Sequence, residues 1–109
     1  MDFNEYQETI VNYIDYPLEL GPFYMILFAQ SNLGKLSEKL KDVMDKENLN
    51  IDDKEKTMLS ITIGDLISNL TMMSTSLGLK LNDITALNLR KLALIKQQKI
   101  KEKNKAENI

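Results

Sequence analysis

Apolar side chains recur at intervals of three and four along most of the chain, and the breaks in that rhythm predict four helices. The first starts at Asp2, whose carboxylate is placed to cap it while Glu5 reaches back in a capping box. It runs to about Ile14, with Phe3, Tyr6, Ile10, Tyr13 and Ile14 on one side. The segment DYPLELGP breaks it through Pro17, Gly21 and Pro22, and Pro22 suits the first turn of the next helix. That second helix, roughly residues 22 to 45, opens apolar all round with FYMILFA and then narrows to Leu33, Leu36, Leu40, Val43 and Met44. Its first half is expected to be deeply buried.

KENLNIDD reads as a loop, and Asp52 or Asp53 caps a third helix that continues to about Leu77, where Gly78 supplies a left-handed stop. A fourth helix is predicted after Asn82 or Asp83, with Ile84, Leu87, Leu92 and Ile95 as its stripe. Beyond it KQQKIKEKNKAENI has no apolar face past Ile100 and is expected to fray. The division is one helical domain over residues 1 to 95 and a basic tail over 96 to 109. No segment alternates with a strand's period of two between hairpin turns, and the β-branched ITI at 61 to 63 lies inside a helical pattern. The fold class is therefore all-α, an antiparallel four-helix bundle.

Helices two and three are apolar on more than one face, so a second subunit is expected to complete the core, as a dimer or a tetramer. Size points the same way, because a chain of 109 residues hides only about two-thirds of its unfolded surface. Residues 57 to 79 carry one charge, Asp65, and could span a bilayer by length. Nine Ser, Thr and Asn side chains in the same stretch make it too polar for lipid, and a buried helix is expected instead. Tyr6, Tyr13, Phe23, Tyr24 and Phe28 are expected in the core, as are the six methionines.

Composition removes several chemistries. Cysteine and histidine are both absent, which excludes disulfides, thiolate or imidazole metal sites, and His-dependent triads. MDFNEYQETI has neither a basic nor an apolar targeting region, so a cytoplasmic protein is expected. Residues 1 to 20 hold five acids and no base, whereas residues 86 to 109 hold seven bases and two acids, an asymmetry suited to docking subunits or steering an anion. Nucleic acid is an unlikely partner given a net charge of −2 and a basic tail without interleaved aromatics.

Read in order, NEYQETIVNY, the Tyr-Pro break, GPFYMILFAQSNLGKLSEKLKDV and ITIGDLISNLTMMSTSLGLKLNDITALNLRKL together resemble the MazG-like all-α nucleoside triphosphate pyrophosphohydrolases, up to about residue 93. Members release a monophosphate and pyrophosphate. The resemblance implies a Mg²⁺ site made by an E-x-x-E pair on helix two and an E-x-x-D pair on helix three, since residues three apart share a helix face and two such pairs cage a hard cation. Those positions are Asn32, Lys35, Thr62 and Asp65, so only Asp65 keeps its acid. Ser68 and Asn69 stand where the family often has an aromatic pair, while NLRKL keeps Asn88 and Lys91 at positions the family commonly turns toward phosphate.

One aspartate with an amide and a hydroxyl holds magnesium weakly, and a lysine adds repulsion of roughly 4 kcal/mol per unit charge at about 4 Å and an effective dielectric near 20. Lys35, Lys91 and Arg90 are instead suited to holding phosphate. The alternative is that Lys35 pairs with Asp65 and holds nothing. Tyr6, Tyr24 and Asn69 are the candidates for contact with a base. Asp65 with Glu38 is the weak candidate for a metal, and Glu5 with Glu8 and Asp42 with Asp45 have the spacing of solvated helix faces.

The expectation is a non-catalytic homo-oligomer that binds or sequesters a nucleotide or cyclic nucleotide signal without a cofactor, in the manner of small phage-encoded proteins acting in a host cytoplasm. The alternatives are a divergent Mg²⁺-dependent pyrophosphohydrolase and an oligomeric interaction protein with no ligand.

Overall fold

Asp2 accepts the Glu5 amide at 2.9 Å and starts α1 (Phe3–Ile10). The helix tightens into a 3-10 turn at Val11–Tyr13 and stops before Ile14, which is extended. Tyr16 precedes Pro17 and is pushed out of the helical region, so helix one is shorter than its apolar pattern. A second 3-10 turn, Leu18–Leu20, leads into α2 (Gly21–Met44) with Pro22 in its first turn. The computed structural model describes residues 1 to 108, and its other helices are α3 (Asp53–Ser76) and α4 (Leu81–Glu107).

The ends of α3 follow the sequence closely. Asp52 and Glu55 form a complete capping box. At the other end Gly78 takes φ 70°, and the amides of Leu79 and Gly78 reach the carbonyls of Ser74 and Thr75 at 2.8 and 3.1 Å, a Schellman closure. The hydroxyls that made this helix too polar for lipid are satisfied within it: those of Thr71, Ser74, Thr75 and Ser76 donate to the carbonyls four residues back. Among the described residues no helix is long and apolar enough to cross a membrane.

α4 departs from expectation at both ends. It begins at Leu81 rather than after Asn82, because its first amide is capped from a distance: Gln7 Oε1 accepts the Leu81 N–H at 2.8 Å. The same side chain donates through Nε2 to the Leu79 carbonyl at 2.8 Å and to Thr75 Oγ1 at 3.1 Å. At its far end α4 continues to Glu107, through the segment expected to fray. Lys, Gln, Glu and Ala dominate there, and their helix propensity carries a segment that has no apolar face.

α2 and α3 pair antiparallel along their length. Met25, Ala29, Asn32, Leu36, Lys39 and Val43 line the contact on α2, and Glu55, Leu59, Thr62, Leu66, Asn69 and Met73 line it on α3. Both series step by four and three, the seam spacing of a left-handed helix pair. At one end Gly21 is required, since a Cβ there would lie 1.9 Å from Ser76 Oγ. At the other end Lys46 pairs with Glu55, the ion pair found among the described residues.

The described residues are all-α, with four helices and no strand. They do not close around one core within a single chain. α1 crosses α3, α4 meets α1, and α4 packs along neither α2 nor α3. The radius of gyration is 18.7 Å, whereas a compact chain of this length has about 13 Å. Among the described residues the buried apolar side chains are Ile10, Met25, Ala29 and Val43.

The expected aromatic core is therefore corrected: Tyr13, Phe23, Tyr24 and Phe28 are exposed, and Tyr6 is half-buried. Of the methionines only Met25 is buried. The first half of α2 is likewise apolar on faces that α3 alone does not reach.

Candidate functional site

The seam carries a polar block in its middle. Asn32 is buried, and its Nδ2 donates to Asn69 Oδ1 at 2.7 Å. Asn69 also donates through Nδ2 to Met25 Sδ at 3.9 Å, so its amide is turned into the seam and away from a base. One turn further along α2 the helices diverge into a cleft of about 250 Å³ lined by Lys35, Glu38, Lys39, Asp42, Met58 and Thr62. Two of the four positions singled out by the resemblance, Lys35 and Thr62, thus share a cleft.

Asp65 does not line this cleft; it is exposed. No ion pair within 4.0 Å joins it to Lys35 among the described residues, so the expected alternative of a Lys35–Asp65 pair is not formed. The Thr62 hydroxyl donates to the Met58 carbonyl at 3.2 Å. A magnesium ion does not fit this donor set, because Lys35 stands in the cleft as a cation and Asp65, the one carboxylate among the four positions, lies outside it. No group of three or more Asp, Glu, His or Cys suited to a metal occurs among the described residues, and of the candidate pair Asp65 and Glu38 only Glu38 lines the cleft.

The cleft carries two cations and two anions, with Lys35 and Glu38 exposed and Lys39 half-buried. Among the described residues none of the four makes an ion pair. Its volume falls below the range of about 300 to 1,000 Å³ typical of whole small-molecule sites and is enough for a single small polar group. Lys39, Asp42 and Met58 were not among the sequence-derived site residues. Lys39 and Asp42 were legible as neighbours, lying four and seven residues beyond Lys35 on one helix face.

Asn88, Arg90 and Lys91 are exposed on α4. The turn that launches α4 follows Ser76, 14 residues or about 21 Å of helix beyond Thr62, and α4 does not pack back along the hairpin. One chain does not bring these residues to its own cleft. Tyr24 sits edge-on to Tyr16, with ring centroids 5.9 Å apart at 90°. Tyr6 lines a separate apolar cavity of about 510 Å³ with Phe3 and Ile67, and burial raises its pKa above 10.0. Neither tyrosine lines the Lys35 cleft.

Compared with family models, with curated proteins and with solved structures, the chain finds no match.

Proposed function

We propose that the chain is a non-catalytic, MazG-like homo-oligomer that holds the phosphate of a nucleotide or nucleotide-derived signal, linear or cyclic, at the Lys35 cleft. The observation that carries this reading is the pair of lysines, Lys35 and Lys39, in a phosphate-sized cleft at the α2–α3 seam with no ion-pair partner. Unpaired ammonium groups beside a seam hydroxyl are suited to phosphate oxygens, and a phosphate placed there meets no acid-held metal able to activate water. Glu38 and Asp42 line the same cleft and set a limit on its charge, favouring an ester or cyclic phosphate over a triphosphate tail. In this reading Asn88, Arg90 and Lys91 serve the cleft of another subunit, since α4 carries them away from their own.

The test is incubation of the purified protein with a panel of linear and cyclic nucleotides, with and without Mg²⁺, followed by recovery of bound and free species after denaturation. Intact ligand released only on denaturation is the expected result. Pyrophosphate release replaces this reading with the enzyme, and the absence of both replaces it with a scaffold. Lys35→Glu is expected to lower affinity at least tenfold with the helical circular-dichroism spectrum intact; unchanged affinity removes Lys35 from the site.

A further inference from the structure

The apolar cavity beside α1 is separate from the Lys35 cleft and shares no residue with it. Met1, Asp2, Phe3 and Tyr6 line it from the N-terminal segment, Ile67 from α3 and Asn82 from the first turn of α4. At about 510 Å³ it lies within the range of about 300 to 1,000 Å³ typical of whole small-molecule sites. Phe3 and Tyr6 stand three residues apart on α1, so their rings share the helix face that borders the cavity. Phe3 is 50% exposed and Ile67 47%, so aromatic and branched apolar surface meets water there. A ligand that covers this surface gains the hydrophobic driving force that the chain leaves unused.

Charge selects the occupant. Asp2 is the only charged side chain among the lining residues, and because its Oδ1 accepts the Glu5 amide, Oδ2 is left for a second partner. Residues 1 to 34 hold five acids and no Lys or Arg. A neighbouring cleft that shares Asn82 with the cavity carries Glu8 and Asp83 against a single cation, Lys80. The side chains around the cavity mouth thus make a negative field, which turns away phosphates and carboxylates and draws in cations. The two rings act in the same sense, since the face of an aromatic ring is the negative part of its quadrupole. A primary ammonium brings three N–H groups that each need an acceptor, whereas a methylated nitrogen brings none and suits walls made mostly of carbon.

We infer that the cavity between α1, α3 and the start of α4 binds an organic cation, an aryl or alkyl body that carries a methylated ammonium group. The body covers Phe3, Tyr6 and Ile67, and the charge lies beside the rings and the Asp2 carboxylate. This site goes beyond the proposed function: it uses none of the residues of the Lys35 cleft and takes a ligand of opposite charge, so either reading can fail while the other stands.

The probes are benzyltrimethylammonium, benzyl alcohol and phenylmethanesulfonate, each titrated into the isotope-labelled full chain and followed by the amide NMR signals of Phe3, Tyr6, Ile67 and Asn82. Saturable shifts of these four signals are expected with the cation, at an affinity at least tenfold above that of the alcohol, and none with the sulfonate. Asp2→Asn keeps a good helix cap while removing the charge, and is expected to weaken the cation at least threefold and leave the alcohol unchanged. Tyr6→Leu retains apolar bulk without the aromatic face and is expected to weaken the cation at least fivefold. Should that variant lose its helical spectrum, Phe3→Leu at the exposed end of the cavity gives the same comparison. Equal affinity for cation and alcohol overturns the inference, as does an Asp2→Asn protein that binds the cation as the parent does. Signals at these four amides that move with protein concentration and ignore the probe also overturn it, because they assign the cavity to a second copy of the chain.

Discussion

The two sides of the α2–α3 hairpin are built from the same two helices and solve opposite problems. On the cleft side Lys35, Glu38, Lys39 and Asp42 stand unpaired around a small opening. On the other side Leu33, Leu40, Ile63 and Ile67 stand half exposed with no charge among them. Water suits the first arrangement and opposes the second. At about 25 cal/mol per Å² of apolar surface, an uncovered face of this kind is costly, and a chain of this size has little stability to spare. The contrast separates a side that keeps its charges in water from a side that leaves apolar surface uncovered, although both follow from one heptad rhythm.

The largest expected effect breaks both sides together. Gly21→Ala forces a methyl group to 1.9 Å from Ser76 Oγ at the closest approach of α2 to α3. Moving the helices apart is expected to cost about 3 kcal/mol, read as a lower midpoint in urea with the far-ultraviolet spectrum retained at low denaturant. Next comes the Asn32–Asn69 pair, which fixes how the two sides line up. Asn32→Ala leaves Asn69 without its partner in the seam, at an expected cost of about 1 to 3 kcal/mol. The double change Asn32→Leu with Asn69→Leu is expected to recover stability in urea while loosening register, read as broadened NMR signals along the α2–α3 seam.

A smaller change sharpens the comparison by touching neither side. Gly34 is helical and exposed, and a Cβ there meets nothing within 4 Å. Gly34→Ala is expected to stabilise by about 0.8 to 1 kcal/mol, with ligand affinity and oligomer mass unchanged. The smallest effect is a dependence on pH at the hairpin's loop end. The Glu55 amide donating to Asp52 holds that carboxyl below its ordinary 3.8, so the cap's contribution is complete above that value and is lost as pH falls through the lowered one. Hydrogen bonding to Glu55 raises Lys46 above 10.5, so its contribution is complete below that value and is lost as pH rises through the raised one. Urea midpoints across pH 2 to 11 are expected to fall only at these two extremes for this end of the hairpin. Asp52→Asn is expected to remove the acid-side part alone.

Helix identity and most helix ends were legible because their causes are local. Asp52 with Glu55 and the glycine at 78 act within a single turn. That Lys35 and Thr62 meet in one cleft is what the family resemblance implied for those positions. What escaped depends on groups far away in the chain. Asp65 shares a spacing with Thr62 yet turns outside the cleft, since the seam follows Thr62, Leu66 and Asn69. Apolar periodicity marked Phe23 and Phe28 as faces to be covered and was silent on whether the same chain covers them. The start of α4 was misplaced because its cap is a glutamine 74 residues earlier.

That glutamine has a consequence for the order in which the molecule assembles. The hairpin closes through an eight-residue connection between Met44 and Asp53, whereas the Gln7 clasp must close a loop of 74 residues, at an entropic cost about 2 kcal/mol greater. The hairpin forms early and the clasp late, and on the way back the clasp opens first. Until it shuts, the direction of α4 relative to α3 rests on the local turn at Gly78 alone. The Leu81 amide is therefore the natural clock for this step: its hydrogen exchange is expected to outpace that of the α2–α3 seam, and Gln7→Ala to quicken it further. One side-chain amide decides when the longest helix of the protein acquires an orientation.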